Sequence, residues 1–455
     1  MDDTPEETGD YELRPETVAA MVEAARTGDR ETCRALAEPM HPADLADLLE
    51  QIGPGERERV LGALGPELDG AVLSELDEGL REEVIGALDA EALAGAVQDL
   101  ESDDVVDLIE DLDEPQQAAI LGALARSDRY AVERALSYPE ESAGRLMQRE
   151  VTAVPEHFTV GQAIDWLRDH DDLPEQFYHL ILVDPRWAPT GYVTLGRVLG
   201  SKREVPLREI AEESFRAIPA LQDEEEVAYA FNQYHLISAP VIGEDGRLVG
   251  VITIDDAMQV LSEENEEDLL RLAGVGDESL SDRTMQIARQ RFPWLAVNLV
   301  TAILASVVIS LFEDVIAAVV ALAVLMPIVA SMGGNAGTQS LTVAVRALAT
   351  KDLTGRNVWR VLRREVVASL LNGLVFAVLI GVVGVVWFGT LELGYVIAAA
   401  MVINLGIAGL AGLLIPIALD RMGVDPALAS GAFVTTVTDV VGFFAFLGLA
   451  ALVLL

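Results

Sequence analysis

"PWLAVNLVTAILASVVISLF", residues 293–312, is twenty residues long and carries no charged side chain. A helix rises 1.5 Å per residue, so twenty residues cover about 30 Å, the thickness of a bilayer's hydrocarbon core. Four more apolar stretches follow, at about 315–332, 366–387, 393–419 and 427–455. Core helices of a water-soluble domain rarely come five in succession at this length. The reading is an all-α transmembrane domain of five helices over 293–455.

The flanks give that domain an orientation. The link between the second and third stretches holds Arg346, Lys351, Arg356, Arg360, Arg363 and Arg364, and the link between the fourth and fifth holds Arg421. Arg283, Arg289 and Arg291 precede the first. The remaining links and the C-terminal end have no basic residue. Basic flanks favour the cytoplasm. The expectation is a multi-pass protein of the cytoplasmic (inner) membrane, with residues 1–292 inside and the C-terminus outside.

Charge divides the chain at the same point. Residues 1–292 carry 24 Lys and Arg against 66 Asp and Glu, and residues 293–455 carry 7 against 8. So acidic a region repels nucleic acid. The single cysteine, Cys33, excludes an intrachain disulfide and a cysteine-rich metal site. The polar start "MDDTPEETGDYELRPE" reads as neither signal nor transit peptide. No nucleophile–base pair or phosphate-cradling glycine loop stands out, and the five histidines are scattered, so no catalysis is expected.

Polar residues within the apolar stretches carry the functional reading. "TTVTDVVGFF" (435–444) places Asp439 in the last one, with Thr435 four residues before it on the same helical face. A carboxylate at membrane depth costs about 2.5–3.5 kcal/mol on insertion scales, and such residues line ion paths. No Lys, Arg or His lies within a span to neutralise it. Pro327, Gly333, Gly334 and Gly337 predict a broken second helix, with Ser331, Asn335, Thr338, Gln339 and Ser340 supplying oxygens. An anion among neutral oxygens suits a cation path. Sparse charge suits a cation such as magnesium, which keeps much of its water. A two-fold homodimer would bring two such aspartates together.

Residues 40–124 read as a helical repeat with a 24-residue period, Leu64 to Leu88, which stacks into a small superhelix. Asp103 and Asp107 share one of its helix faces. Residues 137–268 twice show helix, strand, turn and a "G-h-h-T" segment, where h is apolar. The second copy, "SAPVIGEDGRLVGVITIDD" (238–256), is the clearer. This resembles a tandem pair of cystathionine-β-synthase (CBS) modules, α/β in class. In such modules the Thr and Asp of the motif hold a nucleotide's phosphate and ribose, which points to Thr253 and Asp256, with ATP the candidate. Arg197 takes the aspartate's place in the first module. The run Glu263, Glu264, Glu266, Glu267 and Asp268 reads as a divalent-cation sensor or a charged linker.

The order of these parts resembles the MgtE family of magnesium channel-transporters. The likeness is specific in "PIVASMGGNAGTQSLTVAVRALAT", "RMGVDPALAS" and "TTVTDVVGFFAFLGLA". It implies an acidic superhelical domain over 1–136, CBS modules over 137–205 and 206–268, a connecting amphipathic helix over 269–292, and the transmembrane domain. It implies that Asp439 and Asn335 contact hydrated Mg2+ in a homodimeric pore. It implies a cytoplasmic sensor of Asp103, Asp107, Asp256, Glu264, Glu267, Asp268 and Asp425. The expected function is Mg2+ influx gated by intracellular Mg2+, with the membrane lipid and a second copy as partners. The alternatives are transport of another divalent cation such as Co2+, or a membrane-anchored nucleotide sensor. Two departures from the family pattern stand out. Gln259 replaces a carboxylate, and Gly431–Ala432 replace an Asn-Pro pair.

Overall fold

The computed structural model describes residues 13–455 except 66–67, 89, 99, 111, 113, 171–172, 175–176, 213–214 and 276–283. Residues 1–12 of the expected N-terminal domain, and residues 276–283 of the expected connecting segment with Arg283 among them, therefore lie outside the described residues. The chain forms two compact units that divide between Glu263 and Glu264.

Among the described residues the first unit begins with ten α-helices: α1 (Pro15–Thr27), α2 (Arg30–Ala37), α3 (Pro42–Gln51), α4 (Pro54–Leu64), α5 (Ala71–Ser74), α6 (Glu78–Ala87), α7 (Ala90–Gln98), α8 (Ser102–Glu110), α9 (Glu114–Ala123) and α10 (Arg126–Ala135). Their apolar faces share one continuous core from Met21 to Ala135. The repeat has a physical signature. Buried Arg57 on α4 donates to the Leu49 and Ile52 carbonyls that end α3, at 2.8 and 3.0 Å, and to Glu83 at 2.9 Å. Arg81, also buried, donates likewise to the Ser74 and Leu76 carbonyls ending α5, and to Asp107 at 2.8 Å. Gln117 on α9 caps Ile109 and Leu112 of α8. The last carbonyls of a helix have no partner within it. In each pair the second helix supplies that partner, which fixes the angle of the turn.

Two small α/β modules follow. After α11 (Ala143–Leu146), which packs on the second module, the first holds β1 (Ala153–Pro155), α12 (Val160–Asp169), β2 (His179–Val183), β3 (Pro189–Thr194) and α13 (Leu195–Gly200). The second holds β4 (Ile218–Pro219), α14 (Glu224–Tyr234), β5 (Ser238–Ile242), β6 (Leu248–Thr253) and α15 (Ile254–Leu272). Each sheet pairs its first two strands parallel and its last two antiparallel, in the order β1-β2-β3 and β4-β5-β6. The repeated sequence pattern thus gives a repeated topology. Thr194 caps α13 through its hydroxyl, accepting from the Arg197 N–H.

The second unit holds α16 (Thr284–Ser310), α17 (Glu313–Ala318), α18 (Ala321–Ala349), α19 (Val358–Phe388), α20 (Leu391–Arg421) and α21 (Pro426–Val453). Five of these are long and apolar enough to cross a membrane, α17 being the exception. The chain is a multi-pass membrane protein. Residues 284–292, expected to belong to a separate connecting helix, are the first turns of α16, with Pro293 inside it. The second span starts at Ala321, after α17 has used residues 313–318.

The broken second span is corrected. α18 is continuous from Ala321 to Ala349, through Pro327 and all three glycines. Gly333 and Gly337 serve packing. A Cβ at Gly337 would sit 2.6 Å from the Val434 side chain, and one at Gly412 would sit 2.6 Å from the Gly337 carbonyl. Small residues let helix backbones approach closely in membranes, where dispersion drives association. α20 packs against α19, α21 and α18.

Candidate functional site

α18 carries Ser331, Asn335, Thr338 and Thr342 at spacings of four, three and four, so they form one stripe. All four are exposed in the single chain, although this helix is of membrane length. The Thr338 and Thr342 hydroxyls donate back to the Gly334 and Thr338 carbonyls at 3.0 Å, which turns their lone pairs outward. The Asn335 amide reaches Ser331 at 3.4 Å. On α21 the Thr435 hydroxyl donates to the Gly431 carbonyl at 3.0 Å, and that of buried Thr438 to the Thr435 carbonyl. Asp439 is half-buried, and among the described residues no hydrogen bond or ion pair engages its carboxylate. No bond joins it to Asn335. The two residues stand on helices that pack directly through Gly337, Val434 and Thr438.

Asn404 of α20 has a larger part than its sequence suggested. It is fully buried and donates to the Val329 carbonyl at 2.8 Å. Its Oδ1 has no partner. A Cβ at either Gly333 or Gly442 would collide with its amide. Asn404 therefore wedges the junction of α18, α20 and α21, three residues from Asp439 along α21. Sequence showed a lone amide in a span. The two glycines that make room for it come from distant segments.

Within the first unit, α8 presents carboxylates to the second CBS-type module. Asp103 is only 8 % exposed. Burial, then the charge of Asp256, pushes its carboxyl well above the usual carboxylate range. Burial and Asp256 likewise raise Asp104 to about 6. Burial raises Asp256 to about 6, against the pull of its bonds from Thr253. Glu101 rises to about 7 through burial, then Glu150 and Asp104. The segment 148–150 fills the seam: Gln148 donates to Glu101 at 2.6 Å and Ser102 to Glu150 at 2.8 Å. The expected pair Asp103 and Asp256 are thus brought together. Asp107 is bonded to Arg81, and its charge also reaches Asp104 and Asp256. Glu101, Asp104, Glu150 and Asp255 were missed, although the doublets "SDD" and "IDD" mark two of them. Among the described residues, no three His, Cys, Asp or Glu side chains already converge as an ion's ligands.

In the second unit Arg271 joins two more of the expected sensor residues. It donates to Asp425 at 2.8 Å and pairs with Glu267 one turn earlier on α15. Asp425 is the N-cap of α21, accepting from the Ala427 N–H at 2.8 Å. Leu272 packs beside Ala427, Val434, Leu341 and Val345. Glu264 and Asp268 lie near Glu267 on α15, half-buried. Gln259 donates to Glu263.

The motif Thr253 does two things. Its N–H and hydroxyl donate to Asp256 at 3.2 and 2.7 Å. It also lines a cleft between the modules, with His179, Ser238, Thr152, Glu150 and Tyr178. His179 and Ser238 share a hydrogen bond of 2.5 Å, and burial lowers the imidazole's pKa. The cleft encloses about 20 Å³, room for a water molecule. Arg197, the first module's counterpart of Asp256, is paired with Glu212.

Residues 326–449 match the family described as divalent cation transporter, so α18–α21 supply the transport domain of a multi-pass membrane protein. Residues 40–141 match the MgtE intracellular N domain and residues 207–263 a CBS domain. The chain is 35 % identical over 451 residues to the magnesium transporter MgtE of Thermus thermophilus, covering 97 % of this chain and 99 % of that one. It is 34 % identical over 331 residues to the magnesium transporter MgtE of Bacillus subtilis, covering 72 % and 73 %. About half of the chain is similar to the crystal structure of the cytosolic domain of the Mg2+ channel MgtE in complex with ATP. The TM-score is 0.50 at 29 % identity, over 53 % of this chain and 99 % of that one. The chain belongs to the MgtE family.

Proposed function

We propose that this chain conducts Mg2+ across the cytoplasmic membrane as a homodimer and that intracellular Mg2+ closes it. The observation that carries the reading is Asp439, a half-buried carboxylate on a membrane helix with no partner among the described residues. A hydrated cation offsets the charge, and the Asn335, Thr338 and Thr435 oxygens suit its water shell. The polar stripe of α18, left open in one chain, suits a path shared with a second copy. Basic flanks support the orientation with the acidic domains inside.

Closure follows from differential binding. Mg2+ between Asp103, Asp104 and Asp256 would replace protons, or relieve repulsion, at a contact that is costly when empty. Glu264, Glu267, Asp268 and Asp425 would add a second site next to the start of α21. A nucleotide at Thr253 would meet Glu150, Asp255 and Asp256, so it would enter as its magnesium complex, and the cleft would have to widen. Such a complex agrees with the ATP-bound relative.

The test is ion flux in proteoliposomes. Asp439→Ala, folded as judged by its unfolding temperature, should lose Mg2+ uptake. Normal flux in that variant would sink the assignment. Co2+ carried in preference to Mg2+ would favour the other divalent reading.

A further inference from the structure

We propose that the start of α19 is a binding surface for anionic phospholipid headgroups, built from Arg360, Arg363 and Trp359. The proposal rests on the membrane-spanning reading of α19 and on three observations.

The first is charge. The chain holds 74 acidic and 31 basic residues, so partners for an arginine abound. Yet among the described residues Arg360 and Arg363 have neither ion pair nor side-chain hydrogen bond, and Arg364 reaches only its neighbour Glu365, at 3.4 Å. All three are exposed. The second is continuity. Val367, Leu371, Leu374, Val378 and Val382 are exposed at spacings of three and four, one outward stripe of α19. Arg360, Arg363 and Arg364 continue that stripe toward the helix start. α19 packs mainly on α20, and Val358, Val361 and Leu362 at its start also cluster with Ala344, Ala347 and Leu348 of α18, while the stripe itself stays exposed.

The third is depth. α19 has 31 residues, about 46 Å of helix at 1.5 Å each. The stacked Trp387 and Phe388 suit one membrane interface. A hydrocarbon core of about 30 Å then ends roughly twenty residues earlier, near Val367. Trp359 to Arg364 fall about 5–12 Å beyond, in the headgroup layer. Trp359 is 76 % exposed there, an amphipathic ring of the kind that anchors at this level. A guanidinium presents paired donors that match a phosphate's oxygens, and its stem can lie along the chains below.

The experiment uses the full chain in detergent, with native mass spectrometry of retained phosphatidylglycerol against phosphatidylcholine. Each guanidinium near an anionic surface is worth about fivefold in affinity. Arg360→Gln with Arg363→Gln should therefore cut the phosphatidylglycerol preference roughly 25-fold. Equal retention of both lipids by the unaltered chain would overturn the proposal. So would an unchanged preference in the double variant, or displacement of the lipid by millimolar inorganic phosphate, which marks a free-anion site. A change in oligomeric mass would mean that these arginines meet a second copy instead. The substitutions are on exposed positions, and Mg2+ flux in phosphatidylcholine vesicles should be unaffected. Loss of lipid preference and loss of transport are thereby read separately.

Discussion

Asp103→Asn should stabilise the first unit when no divalent cation is present. Asp103 is buried beside Asp104 and under the charge of Asp256. The asparagine keeps an oxygen to accept the Asp104 N–H, which Asp103 does at 3.0 Å. What it removes is a charge. Asp104 and Asp256 are each raised from 3.8 to about 6. Two pKa units correspond to about 3 kcal/mol per group, an upper bound because the groups share their repulsion. The sign follows from proton binding. Between about pH 4 and 6 the unfolded carboxylates ionise while the folded ones stay protonated, so the folded state binds more protons. Stability contributed by these groups is complete below about pH 4, falls across that window, and stays low above about pH 7, where Glu101 has also ionised. At about pH 8 in chelator, Asp103→Asn should raise the Tm, because it removes a carboxyl whose ionised form both burial and the Asp256 charge penalise; relieving an unpaired buried polar group is worth about 1–3 kcal/mol, or roughly 2–10 °C for a unit of this size. Millimolar Mg2+ should raise the Tm of the unaltered chain more than that of the variant, because a cation binding only the folded state adds RT ln(1 + [L]/Kd). The assay is thermal unfolding of the full chain, in chelator and in Mg2+, at about pH 5 and 8. A variant with equal or lower Tm in chelator at the higher pH would refute the claim that repulsion and burial dominate this contact.

Other perturbations test the second unit. Arg271→Gln leaves Glu267 and Asp425 facing each other; for a partly exposed pair the loss is about 1 kcal/mol, and Mg2+ flux at low cytoplasmic Mg2+ should rise severalfold. Unchanged flux would show that the arginine does not hold α15 to the start of α21. Gly412→Ala places a Cβ against the Gly337 carbonyl and should cost about 1–3 kcal/mol, whereas Gly334→Ala, with nothing within 4 Å, should cost little. Similar unfolding temperatures in detergent for the two variants would contradict the close packing of α18 on α20.

Much of the architecture was legible. Membrane crossings follow from run length and hydropathy, which are local, and the repeat of Arg57 and Arg81 at 24 residues is a local pattern too. The glycines of α18 were misread. Glycine loosens a helix in water, but between packed membrane helices it permits contact, and only the neighbours decide which effect wins. The acidic seam was half legible. Asp103 and Asp256 were named, but their burial depends on contacts between segments far apart in the chain, which no periodicity marks.

By itself the sequence determined where the chain can enter a membrane, how charge divides it, and that Asp439 has no basic residue near it in the spans. It also determined the order of helical repeat, CBS-type modules and membrane helices, because each has its own period. The tertiary structure decided which carboxylates are buried and which are paired. Asp107 met Arg81, Asp425 met Arg271, and Asp439 was left unpaired. Pairing depends on contacts between residues far apart in the chain, and a local pattern holds no record of them.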